Sequence, residues 1–195
     1  MWRIVMKIRI CILVVVFIVG AVISTFGQGR ITFTGSMLSY GSGFSTRMRT
    51  SPFTLRINGI TTDEDASRFL SELQDGGQDD LLDAIKNEQV GTFSLGSQLG
   101  RRINVLVVKD DDGRKKLIGI FERWLGFAEL RGGYRSLDYP FSYIELFIDP
   151  RTGRGEGTYF AAARIRYRNG NVEVEDFATL PSRLLNVRLT GGRLP

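Results

Sequence analysis

From Ile103 onward the chain is a succession of short apolar, β-branched runs broken by turn residues. Several short strands with regularly spaced turns belong to an antiparallel sandwich or barrel. Strands are expected near 103–109, 117–121, 127–131, 143–148, 158–168, 172–177 and 184–189, and no internal repeat accompanies them. One hairpin is specified residue by residue. Asn169-Gly170 is a favoured pair for a two-residue type I′ turn, whose central positions both need positive φ. That turn sets Arg168 opposite Asn171, Tyr167 opposite Val172, Arg166 opposite Glu173, Ile165 opposite Val174 and Arg164 opposite Glu175. One face then carries Ile165, Tyr167, Val172 and Val174. The other carries two opposite-charge pairs, each worth about 0.2–1 kcal/mol. Two of the three arginines are thereby matched by acids, which argues against a phosphate-binding stripe.

Upstream the pattern differs. Residues 28–51 are rich in Gly, Ser and Thr and read as a flexible leader, with a short strand at 31–33. Packed structure is expected to begin at Pro52. Phe53, Leu55 and Ile57 alternate with polar residues, so 53–58 reads as a strand that turns at Asn58-Gly59. Thr62 before Asp63, Glu64 and Asp65 is a capping residue with an acidic first turn. Ala66, Phe69, Leu70 and Leu73 share one helical face, and Gly76-Gly77 stops that helix. A second short helix opens with Asp79 and Asp80, presents Leu81, Leu82 and Ile85, and has Lys86 near its end. The two form an αα-hairpin over roughly 63–87. The expected fold class is α+β: a mainly antiparallel β-sheet, sandwich or open barrel, with one αα-hairpin packed on it, in a single domain over 52–195.

The first segment concerns compartment. Arg3, Lys7 and Arg9 stand among apolar residues, an uncharged run follows from Ile10 to Ile23, and small residues occupy Thr25 and Gly27. This is the pattern of a secretory signal peptide over 1–27, cleaved after Gly27. Counted through Phe26, the apolar stretch over 10–26 is about 17 residues, the low end for crossing a bilayer, so an uncleaved anchor is the alternative. Export implies a periplasmic, cell-surface or secreted protein, and membrane contact follows only if 10–26 is retained.

The chain has 26 basic and 21 acidic residues, net +5. Without 1–27 these become 23 and 21, net +2, and no clustered basic face remains to suggest nucleic acid. The single cysteine, Cys11, lies early in the apolar run, unlike a lipoprotein cysteine. The remainder therefore has no thiol or disulfide chemistry. Histidine is absent throughout. That removes Ser-His-Asp and Cys-His catalysis, the usual zinc sites and the commonest general base near neutral pH.

Motifs that resemble chemical sites have simpler readings. Asp110-Asp111-Asp112-Gly113 lacks the ligand spacing of a calcium loop, and Arg114-Lys115-Lys116 follows at once, so it reads as a hairpin tip. Gly153-Arg154-Gly155-Glu156-Gly157 leads into a strand, whereas a phosphate loop leads into a helix, so it reads as a hairpin connection. No cofactor fingerprint and no metal site is found.

The segment 129–145 is the candidate binding loop. Glu129, Arg131, Tyr134, Arg135, Asp138 and Tyr139 join two expected strands, and Glu145 shares a face with Tyr143 and Phe147. Loops on a rigid sheet are where binding residues concentrate. Carboxylates such as Glu129, Asp138 or Glu145 could run acid–base hydrolysis of a glycoside without histidine. The simpler alternative pairs Arg131 or Arg135 with Asp138 or Glu145 as structural ions.

Gly76-Gly77-Gln78-Asp79, Tyr134-Arg135-Ser136-Leu137-Asp138-Tyr139-Pro140-Phe141, Gly153-Arg154-Gly155-Glu156-Gly157 and Leu180-Pro181-Ser182-Arg183-Leu184-Leu185-Asn186-Val187 carry a resemblance. The chain resembles uncharacterised exported proteins of acidobacteria-type soil bacteria over about 52–190. The resemblance implies bacterial origin and export, and it supplies no activity and no site residues. The sequence thus points to a non-catalytic envelope protein that binds a ligand or an envelope partner. A carboxylate-dependent hydrolase and a membrane-tethered structural protein are the alternatives.

Overall fold

The computed structural model describes residues 30–40, 47–123, 135–177 and 180–195, with backbone only at 135 and 136. The elements run β1 (Ile31–Ser39), β2 (Arg49–Ile57), α1 (Asp63–Asp75), α2 (Gly77–Ile85), β3 (Gly91–Leu95), β4 (Arg101–Ile103), β5 (Val105–Asp111) and β6 (Arg114–Glu122). A 3₁₀ turn (Arg135–Asp138) then leads into β7 (Phe141–Asp149), β8 (Arg154–Arg168), β9 (Asn171–Asp176) and β10 (Ser182–Gly191). The fold is α+β, with a helical hairpin on a nearly closed, barrel-like antiparallel sheet.

Strand order is β4-β3-β2-β1-β10-β8-β7-β6-β5, with β9 paired to the outer half of β8. The two ends of that order, β4 and β5, are consecutive in the chain and meet at Asn104. There the chain changes partners: the Ile103 carbonyl accepts from the Val90 N–H at 2.9 Å, and the Asn104 N–H donates to the Ile120 carbonyl at 3.1 Å. The Asn104 side chain is buried at this corner. Its Nδ2 donates to the Glu88 carbonyl at 2.9 Å, and its Oδ1 accepts from the Glu122 N–H at 3.0 Å. One amide thus ties three chain segments together and satisfies groups that would otherwise be buried unpaired.

The barrel interior is apolar. Phe33, Leu55, Phe93, Ile103, Leu106, Leu117, Phe121, Ile144, Leu146 and Leu184 fill it, with Phe53, Phe93, Phe121 and Tyr159 in mutual ring contact. A second core lies outside the barrel. Strand residues alternate in facing, so Val105, Tyr143 and Ile165 meet Phe69, Leu73, Leu81 and Ile85 of the helices. Covered on both faces, β7 is buried at all of Phe141, Ser142, Tyr143 and Ile144.

The helical hairpin forms as expected. Thr62 caps α1, its Oγ1 accepting from the Asp65 N–H at 3.1 Å, and Gly76 ends it. The β8–β9 hairpin has all five expected cross-strand pairs. Asn169 and Gly170 both take positive φ, as the type I′ turn requires.

Several expectations need correction. Residues 31–39 are not part of a flexible leader, and packing does not wait for Pro52. They form β1, paired on both sides, with β2 and β10. β2 itself begins at Arg49. The expected acidic turn is tighter: Asp110 and Asp111 belong to β5, and Asp112-Gly113 alone turns the chain. Lys115 reaches Asp110 at 2.9 Å, so the basic run answers the acids. β3 and β4 were not anticipated. The strand expected at 127–131 lies outside the described residues.

The glycine-rich stretch 153–157 has a packing reason. Gly153 takes positive φ in the β7–β8 turn. A methyl at Gly157 would be driven into the Glu145 carbonyl of β7, and one at Gly155 into the Phe147 carbonyl. Close strand approach of this kind demands glycine. Arg188 of β10 stands directly opposite Arg154 of β8 in the neighbouring row.

Candidate functional site

Of the sequence-predicted site residues, Glu129, Arg131 and Tyr134 lie outside the described residues, and Arg135 is described by its backbone alone. The remaining three, Asp138, Tyr139 and Glu145, do not form one constellation. Asp138 ends the 3₁₀ turn. Its carboxylate meets the Arg164 guanidinium at 3.0 Å, and its carbonyl accepts from Arg164 Nε at 3.0 Å and from Gln78 Nε2 at 3.1 Å. Tyr139 is buried. Its hydroxyl donates to Glu175 Oε1 at 2.5 Å, Arg164 lies 4.9 Å over its ring, and Phe177 meets it edge-on.

Glu145 sits mid-strand on the outer face of β7. It pairs with Lys116 at 2.6 Å and accepts from the Tyr143 hydroxyl at 3.3 Å. Burial, with the Glu145 charge adding to it, pushes the Tyr143 phenol far above its ordinary range. Both described carboxylates of the candidate loop are therefore committed to cations. Their partners are Arg164 and Lys116; the side chains of Arg131 and Arg135, the partners expected for them, lie outside the described residues. Among the described residues, no group of three or more acids is placed to hold a metal ion.

The prominent concavity of apolar character is elsewhere. A groove of about 480 Å³ runs between α1 and the outer face of the sheet. Val105, Val107, Ile120 and Ile165 floor it, Ala66, Phe69, Leu70 and Leu73 wall it on the helix side, and Val172 closes one end. Asp63 and Lys109 supply the charges at its margin. Leu70 is 37% exposed and Val172 49% exposed. Such groups remain wet because the two helices are too short to cover the whole sheet face.

A second groove of about 450 Å³ shares Leu73 and Ile165 with the first. It is polar, lined by Gln74, Gly77 and Gln78 from the α1–α2 junction and by Arg164 to Arg168 of β8. The described end of the candidate loop is anchored beside it, since Gln78 and Arg164 both hold the Asp138 carbonyl. Sequence reasoning missed Leu70, Val172 and Gln78 as site residues. The signal for Leu70 was present, as an apolar residue widening the α1 stripe beyond Phe69 and Leu73.

Comparison of the chain with protein-family models, curated proteins and solved structures finds no match. Among the described residues, no helix is long and apolar enough to cross a membrane. Residues 10–26, the possible anchor, lie outside them.

Proposed function

We propose that this chain is a non-catalytic binding protein of the bacterial envelope, taking an apolar ligand or partner segment in the groove under α1. The observation that carries this reading is the groove's composition. Aliphatic residues from α1, α2, β5, β6, β8 and β9 line one open concavity, with Leu70 and Val172 left wet. Concave apolar surface with a few polar groups at its margin is the usual form of a ligand site. The absence of histidine and the engagement of Asp138 and Glu145 by cations favour binding over hydrolysis. Export rests on the character of residues 1–27 and on the resemblance to exported bacterial proteins.

The test is titration of purified protein with the neutral fluorescent probe N-phenyl-1-naphthylamine, followed by a thermal-shift panel of lipids, glycans and envelope proteins. Leu70→Lys and Val172→Lys change partly exposed side chains, so the fold is retained. Each is expected to weaken probe binding about tenfold, the scale of one well-buried apolar contact. Binding unchanged in both variants would place the probe elsewhere, and the groove would lose its role.

A further inference from the structure

The polar groove lies along a strand edge that no described strand covers. β7 pairs with β8 only as far as Phe141 opposite Ala163. Beyond that point β8 continues to Arg168 with β9 on its other side. In a two-residue hairpin the closing pair, Arg168 and Asn171, exchanges both backbone hydrogen bonds. The Phe177 N–H donating to the Ala162 carbonyl at 2.9 Å keeps the same phase. Residues 162, 164, 166 and 168 therefore bond toward β9. Ile165 and Tyr167 turn their N–H and C=O groups to the opposite edge, where no strand among the described residues pairs with them.

Three further observations converge on that edge. The groove's lining takes five consecutive residues of β8, Arg164 to Arg168, so it follows the strand. Gln78 Oε1 is buried in the same wall with no hydrogen-bond partner among the described residues. The charged residues lining the groove are all arginines: Arg164 and Arg166 have acid partners, and Arg168 has no ion pair among the described residues.

We propose that this edge of β8 accepts a short extended segment of a partner protein, whose side chains alternate acidic and apolar. A strand laid beside Ile165–Tyr167 would complete their backbone bonds over about three residues, at a rise near 3.3 Å each. Alternate side chains would point toward Leu73 and the apolar groove on the helix side, and toward the arginines on the other. A second copy of this chain is the poorer occupant. Pairing two such edges would set the arginines of β8 against their own equivalents, and like charges placed opposite each other repel. The inference deepens the binding reading above, and rests on it for the apolar wall at Leu73 and Ile165.

The experiment uses a fluorescein-labelled peptide, Glu-Val-Glu-Val-Glu, read by anisotropy, and amide NMR of the purified full chain. Saturable binding is expected, with the amides of Ile165 and Tyr167 shifting and becoming protected from exchange. N-methylation of the peptide amides that face β8 is expected to weaken binding about tenfold or more, by removing its ladder bonds. Arg168→Glu, an exposed change, is expected to weaken it about fivefold, the effect of reversing one partly screened charge. The basic peptide Lys-Val-Lys-Val-Lys is expected not to bind. Absence of acidic-peptide binding, indifference to N-methylation, or a dimer that the peptide cannot displace would each overturn the proposal. If the peptide fails while N-phenyl-1-naphthylamine still binds in a Leu70-dependent way, the strand partner alone is wrong. If both fail, the binding reading falls with it.

Discussion

Arg166 stands directly opposite Glu173 across the β8–β9 hairpin, yet its guanidinium reaches the diagonal neighbour Glu175, at 3.6 Å. Register and ion pairing are thus separate facts. The turn fixes which Cα atoms face each other, while the side chains choose partners by what else holds them. Glu175 is already fixed by the Tyr139 hydroxyl at 2.5 Å, and that anchored carboxylate draws Arg166.

The two acids should therefore differ in worth. Glu175→Ala removes a charged acceptor from the buried Tyr139 hydroxyl and is expected to destabilise by about 1–2 kcal/mol. Glu173→Ala is expected to stay within about 0.5 kcal/mol, as an exposed position with no anchored contact. Urea unfolding midpoints of the two variants check this, and equal effects would show that the directly facing pair matters as much as the diagonal one.

Asn104→Leu keeps the volume of the barrel corner but strips two hydrogen bonds. The Glu88 carbonyl and the Glu122 N–H are then left without their partner, at an expected cost of about 2–3 kcal/mol. Loss should be concentrated at the β4–β5 corner, so hydrogen exchange at Glu122 is expected to speed up before exchange at the centre of β7. A variant as stable as the parent would show that water replaces the amide.

Alkaline pH should unfold the protein through its buried phenols. Burial raises the Tyr143 and Tyr159 phenols above the ordinary tyrosine range, with the Glu145 charge adding to the shift at Tyr143. An unfolded tyrosine ionises near pH 10 or about that. Above that pH the unfolded chain loses protons that the folded chain keeps, so this contribution is complete below about pH 10 and is lost as pH rises beyond it. Urea midpoints between pH 8 and 11, with phenolate absorbance at 295 nm, should show the Tyr143 and Tyr159 phenols ionising only with unfolding. Midpoints constant over that range would contradict it.

Arg188 and Arg154 face one another in adjacent strands, a like-charge pair. Arg188→Glu is expected to raise stability by about 0.5–1 kcal/mol by setting a carboxylate opposite Arg154. The gain should shrink in high salt, because both positions are exposed. Thermal midpoints at low and high ionic strength measure it.

Legibility in the sequence followed the strength of local signals. The 169–170 turn admits one register, so five residue pairs could be written down in advance, and Thr62 with its following acids marked the helical hairpin. β1 was hidden because Gly35 and Ser36 interrupt its apolar alternation. Gly35 is needed there, since a methyl would strike the Phe53 ring and the Leu185 carbonyl. β3 and β4 are five and three residues long, below the length at which periodicity speaks. The apolar groove could not be read, because its residues come from six elements and become neighbours only when the sheet curls. Asp138 and Glu145 stood out as ionisable groups among aromatics, a pattern that structural ion pairs produce as readily as sites do.

β1 and β10 are sheet neighbours, and the Thr190 hydroxyl donates to the Thr32 carbonyl at 3.2 Å across 158 positions of chain. A growing polypeptide leaves the ribosome with β1 first and β10 last. Until β10 is free, β1 has a partner on one side only, and the curl joining both halves of the sheet cannot be sealed. Such distant pairings form late, since loop closure must precede the contacts that reward it. The architecture therefore leaves the sheet unsealed until β10, which follows every other described strand in the sequence, has been made.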